Sequence, residues 1–358
     1  MSAKFLQLIG LAVCIVAIQI ITQITDTSFY LTQLTMTAYY SLLVIGLCML
    51  IGYAGQISLG HAGFFAIGGY MSAFLTTHDF TAMKGEAFVA FLSKIGVLVV
   101  RKDVYGGELL AFHSWPACIL SVCTVLVVAY VIGGPVLKLK GHYLAMATLG
   151  FGIIIYRIVV GTSGLGAADG ISGVPGFPLF PGVVISGKGS GRILNYYIAW
   201  GVVIAGMTFL LNLISSRVGR ALSAIHGAED AAEAMGIPTA NYKLRVFVLS
   251  AGFAAVAGIL LTHFNGSIGP SEASVMKSVR YVAIVAIGGM TSLWGAVSMS
   301  LILNYFSLRG SFGTYDDAVF GVILVLIMLF APDGLIRRQI LIDLKYFFRR
   351  FVKKEAAL

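Results

Sequence analysis

Long apolar stretches separated by short polar segments recur along the chain. Most of them reach the roughly 17 to 25 residues that an α-helix needs to cross a hydrocarbon core. The predicted helices are 5–24, 31–51, 57–76, 116–137, 143–161, 195–214, 244–265, 279–308 and 318–332. The pattern therefore predicts an all-α polytopic membrane protein with about 8–10 transmembrane helices, some of them broken or re-entrant at glycine-rich segments.

The span at 279–308 contains an interruption. The residues that interrupt it are Gly288, Gly289, Thr291, Ser292 and Gly295. We predict that this segment enters the membrane, breaks and turns back. A break at membrane depth is tolerated only where the freed backbone groups face protein or a water-filled path. The break is therefore a functional clue.

Composition supports the membrane assignment. The chain is 58% hydrophobic and only 11% charged, which leaves too little polar surface to cover a soluble globule. The net charge of +9 comes from residues dispersed over loops and a tail. Because no groove-reading motif accompanies them, they do not indicate nucleic-acid binding. They instead resemble the positive-inside bias of membrane proteins.

This bias orients the chain. Basic residues follow the span at 116–137 and fill the loop at 217–245. We therefore expect these segments and both termini on the cytoplasmic side of a bacterial inner membrane. The outer loops are then about 77–115 and 162–194, and in the first of them four basic residues are balanced by four acidic ones. The predicted domains are 1–336, which spans the membrane, and 337–358, a basic cytoplasmic tail.

Residues that usually carry catalysis or bind metals are scattered. The four cysteines lie in apolar segments and are typical of small buried hydrophobes. The six histidines have no carboxylate or cysteine at a ligand spacing. A stretch ending at Lys188 resembles a phosphate loop but has Gly189 where Ser or Thr is needed. We expect no catalytic residue, metal site or cofactor in this chain, so a membrane enzyme is the weaker alternative.

The segment 52–70 reads GYAGQISLGHAGFFAIGGY and is the most distinctive part of the chain. Its glycines allow the backbone to unwind or to approach a neighbour closely. Polar side chains at membrane depth are disproportionately functional. The candidate solute-pathway residues are Gly55, Gln56, Ser58, Gly60 and His61. A tight contact between helices is the alternative.

A later stretch, GGMTSLWGA at 288–296, loosely echoes the first. Similar broken segments in two halves of a membrane protein indicate an internal repeat around a binding site. The candidate pathway residues in this stretch are Gly288, Gly289, Ser292 and Trp294.

A third candidate lies in the basic loop at about 220–240. We predict a short helix over 229–235, with acidic residues in its first half and a stop at Gly236 followed by Pro238. It is too short to span a membrane and suits docking into a groove on another protein. The residues of this proposed coupling helix are Glu229, Asp230, Ala231, Ala232, Glu233, Met235 and Gly236. We predict that Ala231, Ala232 and Met235 lie on or near one face. A solvated loop is the alternative.

Several motifs in order along the chain resemble the LivM-type branched-chain amino acid permeases of ABC importers. They are GQISLGHAGFFAIGGY (55–70), GHYLAMATLGFG (141–152), ADGISGVPG (168–176), LWGAV (293–297) and PDGL (332–335). The family's Glu-Ala-Ala hallmark corresponds to Asp230, Ala231 and Ala232, followed by Gly236, so that Asp replaces Glu. The insertion-like 77–115 loop departs more from the family.

The resemblance implies a permease subunit that does not hydrolyse ATP itself. Its partners would be a second related permease (LivH-like), two ATP-binding subunits (LivG-like and LivF-like) that use ATP and Mg, and an extracytoplasmic amino-acid-binding protein. The cargo would be Leu, Ile or Val, with urea, small amides or other amino acids as alternatives.

An ion-coupled secondary transporter is the main rival, because it also uses broken helices around a midplane site. The predicted spans contain no Asp or Glu and only one deep charge, Arg157, which lies one turn from a helix end. Coupling to protons or sodium usually needs more charge at depth.

Overall fold

The computed structural model describes residues 3–81, 93–94, 96–102, 108–139, 141–311 and 313–330. The α-helices within these residues are α1 (Ala3–Ile24), α2 (Tyr30–Ala54), α3 (His61–Thr77), α4 (Ser114–Val136), α5 (His142–Gly161), α6 (Arg192–Ser215), α7 (Arg217–Gly227), α8 (Glu229–Ala234), α9 (Thr239–Asn265), α10 (Val275–Gly288), α11 (Leu293–Leu308) and α12 (Asp316–Phe330). Six of them, α1, α2, α4, α5, α6 and α9, are long and apolar enough to cross a membrane. The predicted all-α polytopic fold is confirmed.

Short strands occur only in the connections of the described chain. They are β1 (Leu98–Lys102), β2 (Glu108–Phe112), β3 (Ile171–Ser172), β4 (Phe177–Phe180), β5 (Val183–Ile185) and β6 (Ser267–Ile268). Antiparallel pairs form between β1 and β2, β3 and β6, and β4 and β5. The described parts of the two long loops therefore contain strand pairs, and the second loop is tied to the segment that follows α9 through β6.

Helix α2 forms the centre of the bundle. Its most apolar window is 94% buried, whereas that of α1 is 17% buried. A helix that is apolar on all sides and buried on all sides belongs to the core of a large bundle. Helix α1 lies outside and contacts α6, where the Tyr196 hydroxyl donates to the Ile15 carbonyl at 3.1 Å.

The long helices α2 and α9 run antiparallel against each other. The ring of Tyr39 packs on Phe264 with centroids 6.0 Å apart, and further along the two helices Gly46 lies against Phe253. Each long helix is followed by a break and a shorter helix, α3 or α10. The segment from α2 to α5 therefore has a counterpart of inverted direction in the segment from α9 to α12.

Contacts between the helices follow the same symmetry. Helix α11 packs along α2, with Ser41 bonded to Ser300 at 2.9 Å, and α4 packs along α9, with Gly133 against Leu244. An internal repeat is thus present, although it does not pair 52–70 with 288–296 as the sequence predicted. Its two halves are related by inverted topology, as in many transporters.

Glycines allow the closest approaches in this bundle. A Cβ atom on Gly52 would lie 1.8 Å from the Met290 carbonyl oxygen, and one on Gly258 would lie 2.1 Å from the Phe65 carbonyl oxygen. Helices that cannot rely on water for a driving force associate through such small residues. The glycine content of the spans therefore has a structural use as well as a proposed functional one.

The structure corrects several predicted boundaries. The helix expected from residue 57 begins at His61, so residues 57–60 are not helical. In the 279–308 region the chain does break and turn back, and the two pieces, α10 and α11, meet level with the last turn of α2. Helix α7 was missed, because only α8 was expected in its loop. The tail at 337–358 and the PDGL motif lie outside the described residues.

Candidate functional site

The two breaks between long and short helices share one backbone design. Helix α2 ends at Gly55, with φ of 66°, and α9 ends at Gly266, with φ of 71°. This left-handed conformation is favoured by glycine and stops a helix. After each cap the chain continues without α-helix, and in the second break with one 3₁₀ turn at Pro270–Ala273, until the next α-helix begins inside the bundle.

The beginnings of the two short helices meet in the interior. The backbone N–H of Ala62, in the first turn of α3, donates to the Ser278 hydroxyl, in the first turn of α10, at 3.2 Å. The segments that precede the two helices reach this point from opposite ends of the bundle. Helix N-termini carry unpaired N–H groups and partial positive charge, so their meeting creates an environment suited to negative or polar groups.

His61 fixes the first break to its surroundings. Its Nδ1 lies 3.0 Å from the Ser58 hydroxyl and its Nε2 lies 2.8 Å from the Ser250 hydroxyl of α9. The side chain is 1% exposed. Because both ring nitrogens are engaged, the ring holds residue 58 and α9 at a fixed separation.

The remaining residues of the first set are also placed at this break. Gln56 is buried, and its side-chain oxygen has no hydrogen-bond partner among the described residues. Gly60 packs against the carbonyl oxygen of Thr148 on α5, and the Thr148 hydroxyl accepts the N–H of Leu59 at 3.0 Å. The break is therefore pinned to α5 and α9, with one buried amide left available.

The second predicted set lies elsewhere. Gly288, Gly289, Ser292 and Trp294 occupy the turn between α10 and α11, where the Ser292 hydroxyl caps α11 by accepting the N–H of Gly295 at 3.1 Å. This turn packs on the last turns of α2 through Gly52 and Tyr53. The structural counterpart of residues 55–60 is thus 266–274, not the 288–296 echo that the sequence suggested.

Sequence reasoning missed two charged residues of the bundle interior, one in the second break and one in the first turn of α10. Glu272 and Lys277 lie just outside the predicted spans, yet both contact Tyr40 of α2. The sequence carries a signal for them, since an apolar helix capped by glycine is followed by a turn that begins at Pro270 and contains a carboxylate. Their presence weakens the argument from charge against ion coupling.

Helices α7 and α8 cover the end of the bundle where α2 ends and α9 begins, which we call the α7 end. The ring of His226 on α7 lies against Gly55. Glu229 at the start of α8 forms a salt bridge with Lys243 of α9. The loop is therefore attached both to the first break and to a long helix.

The predicted common face of α8 is divided. Ala231 and Met235 are exposed, Met235 by 83%, but Ala232 is buried against the rest of the chain. The prediction that Ala232 lies on or near one face with Ala231 and Met235 is not met, because Ala232 packs against the rest of the chain. Gly236 follows α8 with φ of 80°. The exposed surface consists of Ala231 and Met235 with acidic neighbours.

No group of three or more His, Cys, Asp or Glu side chains in the described part of the chain is placed to hold a metal ion. The polar groups at the two breaks are instead hydroxyls, amides, an imidazole and an ion pair. Groups of these types can form hydrogen bonds with a polar solute.

A bundle of inverted repeats with helices that begin in its interior defines a polytopic membrane transport protein. The chain belongs to the family described as the branched-chain amino acid transport system permease component, whose model matches residues 29–331. The resemblance predicted from the motifs is confirmed. This chain is a transport subunit of the permease type.

Curated relatives agree with this assignment. The chain is 29% identical over 323 residues to the high-affinity branched-chain amino acid transport system permease protein LivM of Salmonella typhimurium, covering 84% of this chain and 68% of the relative. It is 28% identical over 317 residues to LivH of Escherichia coli, covering 85% and 93%. It is 26% identical over 327 residues to BraD of Pseudomonas aeruginosa, covering 86% and 96%. No solved structure matches.

Proposed function

We propose that this chain is one permease subunit of an ABC importer that carries Leu, Ile and Val across the bacterial inner membrane. The observation that carries the proposal is the meeting of α3 and α10, seen in the Ala62 to Ser278 hydrogen bond. Half-helices that begin near the midplane of a membrane are the usual frame of a solute site. The names of the relatives supply the substrate class.

The solute path in this proposal passes the first break. Gln56 has an unpaired buried amide oxygen, and Ser58 and His61 follow it in the same break. An unpaired buried acceptor costs free energy, of order 1–3 kcal/mol, unless a passing solute or water pairs with it. We assign Gly288, Gly289, Ser292 and Trp294 a lesser role, as the turn that supports the end of α2.

Energy in this proposal enters at the α7 end. Ala231 and Met235 would dock on an ATP-binding subunit, and displacement of α8 would move α7. Because His226 of α7 touches Gly55, that displacement would reach the first break directly. Packed elements with two discrete arrangements transmit switches in this way.

The complete importer would contain a LivH-like permease, LivG-like and LivF-like ATP-binding subunits and an extracytoplasmic binding protein. ATP and Mg would be used by the partner subunits, and this chain would bind no cofactor. The α7 end and both termini would face the cytoplasm.

The test is reconstitution of the co-expressed complex in proteoliposomes with ATP inside. We expect the four subunits to co-purify, and leucine-loaded binding protein to stimulate both ATP hydrolysis and uptake of labelled leucine. Uptake should persist after an ionophore collapses the ion gradients. Gradient-driven uptake by this chain alone would instead identify a secondary transporter and contradict the proposal.

A further inference from the structure

The second break places an ion pair against the central helix. The Nζ of Lys277 lies 3.1 Å from Oε1 of Glu272. The Tyr40 hydroxyl donates to the same oxygen at 3.0 Å and accepts from Lys277 at 3.2 Å. Tyr40 is ten residues into α2, which corresponds to about 15 Å along that helix. The pair therefore lies well inside the bundle, on the side opposite the α7 end.

This arrangement leaves one half of the carboxylate unused. Oε1 of Glu272 accepts two hydrogen bonds, whereas its Oε2 is buried and has no partner among the described residues. A buried, unpaired charged oxygen is costly, and each such atom in a folded protein calls for an explanation. A cation delivered to Oε2 would satisfy it.

Two more polar atoms around the pair are also unpaired. The hydroxyls of Tyr70 and Tyr281 are buried without a hydrogen-bond partner among the described residues. The ring of Tyr281 packs beside that of Tyr40, with centroids 6.1 Å apart, and Tyr70 belongs to the same apolar cluster as Ala273, the neighbour of Glu272. Lys277 itself has three N–H donors, of which two point at Glu272 and Tyr40. The site thus offers one free anionic acceptor, one free cationic donor and two hydroxyls.

The ion pair is also partly exposed, although Oε2 of Glu272 itself is buried. The side chains of Lys277 and Glu272 retain 23% and 18% of their exposure. A purely structural ion pair would be expected to use all of its strong acceptors, because a half-satisfied buried pair is less favourable than a fully bonded one. The combination of partial access and unused polar atoms is typical of a binding site.

We propose that Glu272 and Lys277 form a binding site for a zwitterion. The Oε2 of Glu272 accepts a hydrogen bond from the ammonium group of a free amino acid. Lys277 and the tyrosine hydroxyls donate hydrogen bonds to the carboxylate of the same amino acid. This inference rests on the proposed function and deepens it. It explains how a permease whose described spans carry little charge recognises the α-amino acid group, while the apolar side chain of the solute is left to other surfaces.

The experiment measures the initial rate of leucine uptake by the complete reconstituted importer. We expect Glu272→Gln to lower this rate by about tenfold or more, the effect of deleting one charge-assisted hydrogen bond. Co-purification of the partner subunits and the melting temperature are measured on the same preparation, so that loss of folding is distinguished from loss of uptake. The matched control is Asp317→Asn. Asp317 of α12 pairs with Arg280, which lies on α10 as Lys277 does, and Arg280 keeps Asp316 as a partner. This control should leave uptake unchanged.

A charge swap separates recognition from structure. The double variant Glu272→Lys with Lys277→Glu retains an ion pair, so it would restore uptake if the pair served only to hold the segment in place. We expect no restoration, because the ammonium and carboxylate of the solute would then meet groups of the wrong sign. Restored uptake in the swap, or normal uptake in Glu272→Gln, overturns the inference. Failure of the wild-type importer to transport any amino acid would instead overturn the proposed function.

Discussion

His226 on α7 packs directly against Gly55, the residue at which α2 stops being helical. A Cβ atom on Gly55 would lie 2.9 Å from Nδ1 of His226. The connection between the exposed loop of the protein and its first interior break is thus a contact between one ring and one glycine. No long chain of intermediates is needed to link them.

This contact predicts a coupling defect. His226→Ala should leave the complex assembled and its ATP hydrolysis active but lower the leucine imported per ATP several-fold, because movement of α7 would no longer push on the break. The measurement is paired uptake and ATP hydrolysis in proteoliposomes. The matched control is His142→Ala, since His142 is exposed at the start of α5. An unchanged ratio in His226→Ala would remove this path from the mechanism.

The docking surface of α8 can be tested separately from its fold. Ala231→Arg and Met235→Glu should prevent co-purification of the ATP-binding subunits, because both positions are exposed and a charge there would be buried unpaired on docking. Glu233→Gln, also on the exposed part of α8, is the conservative control. Retention of the ATP-binding subunits by both charged variants would contradict the docking assignment.

A change at Ala232 should behave differently. Ala232→Arg forces a charge into the chain's own interior, where Ala232 is 4% exposed. We therefore expect loss of stability in the isolated permease, measured as a lower melting temperature in detergent, before any effect on docking. Normal melting of the variant with loss of the partner subunits would show that Ala232 belongs to the interface.

Close packing at Gly52 gives a prediction about stability. Gly52→Ala would place a methyl group 1.8 Å from the Met290 carbonyl oxygen, so α2 and the turn before α11 must separate. The expected destabilisation is about 1–3 kcal/mol, the range for overpacking a well-packed interior. Gly201→Ala on α6 is the control, because no atom lies within 4 Å of the added group. Equal melting temperatures for the two variants would disprove the tight contact.

Substitutions in the two predicted sets of pathway residues should have unequal effects on the uptake rate. Gln56→Leu removes an unpaired buried amide at the first break and should change the uptake rate without releasing the partner subunits. Ser292→Leu removes the cap of α11 and should cost stability, about 1 kcal/mol, more than it changes uptake at saturating substrate. The measurement is uptake normalised to folded complex. A larger uptake defect in Ser292→Leu than in Gln56→Leu would indicate that the 288–294 turn lies on the solute path.

The sequence by itself determined the membrane class, the order of the helices and the position of the first break. Apolar length and glycine spacing are local properties, and a helix in lipid satisfies its own backbone. The motifs also identified the family. The short helix α8 followed from acidic residues at its start and Gly236 at its end, which again is local chemistry.

Only the tertiary structure decided which segments meet. The repeat pairs 55–60 with 266–274, although the residues that resemble 55–60 most in sequence lie at 288–296, because inverted symmetry preserves backbone geometry more than side chains. The contact of Glu272 and Lys277 with Tyr40 likewise depends on how the second break and α10 pack on α2, and the burial of Ala232 depends on how α8 packs on α7 and α9. The permease class could be predicted from the chain, whereas the charged pair in its interior required the packed helices.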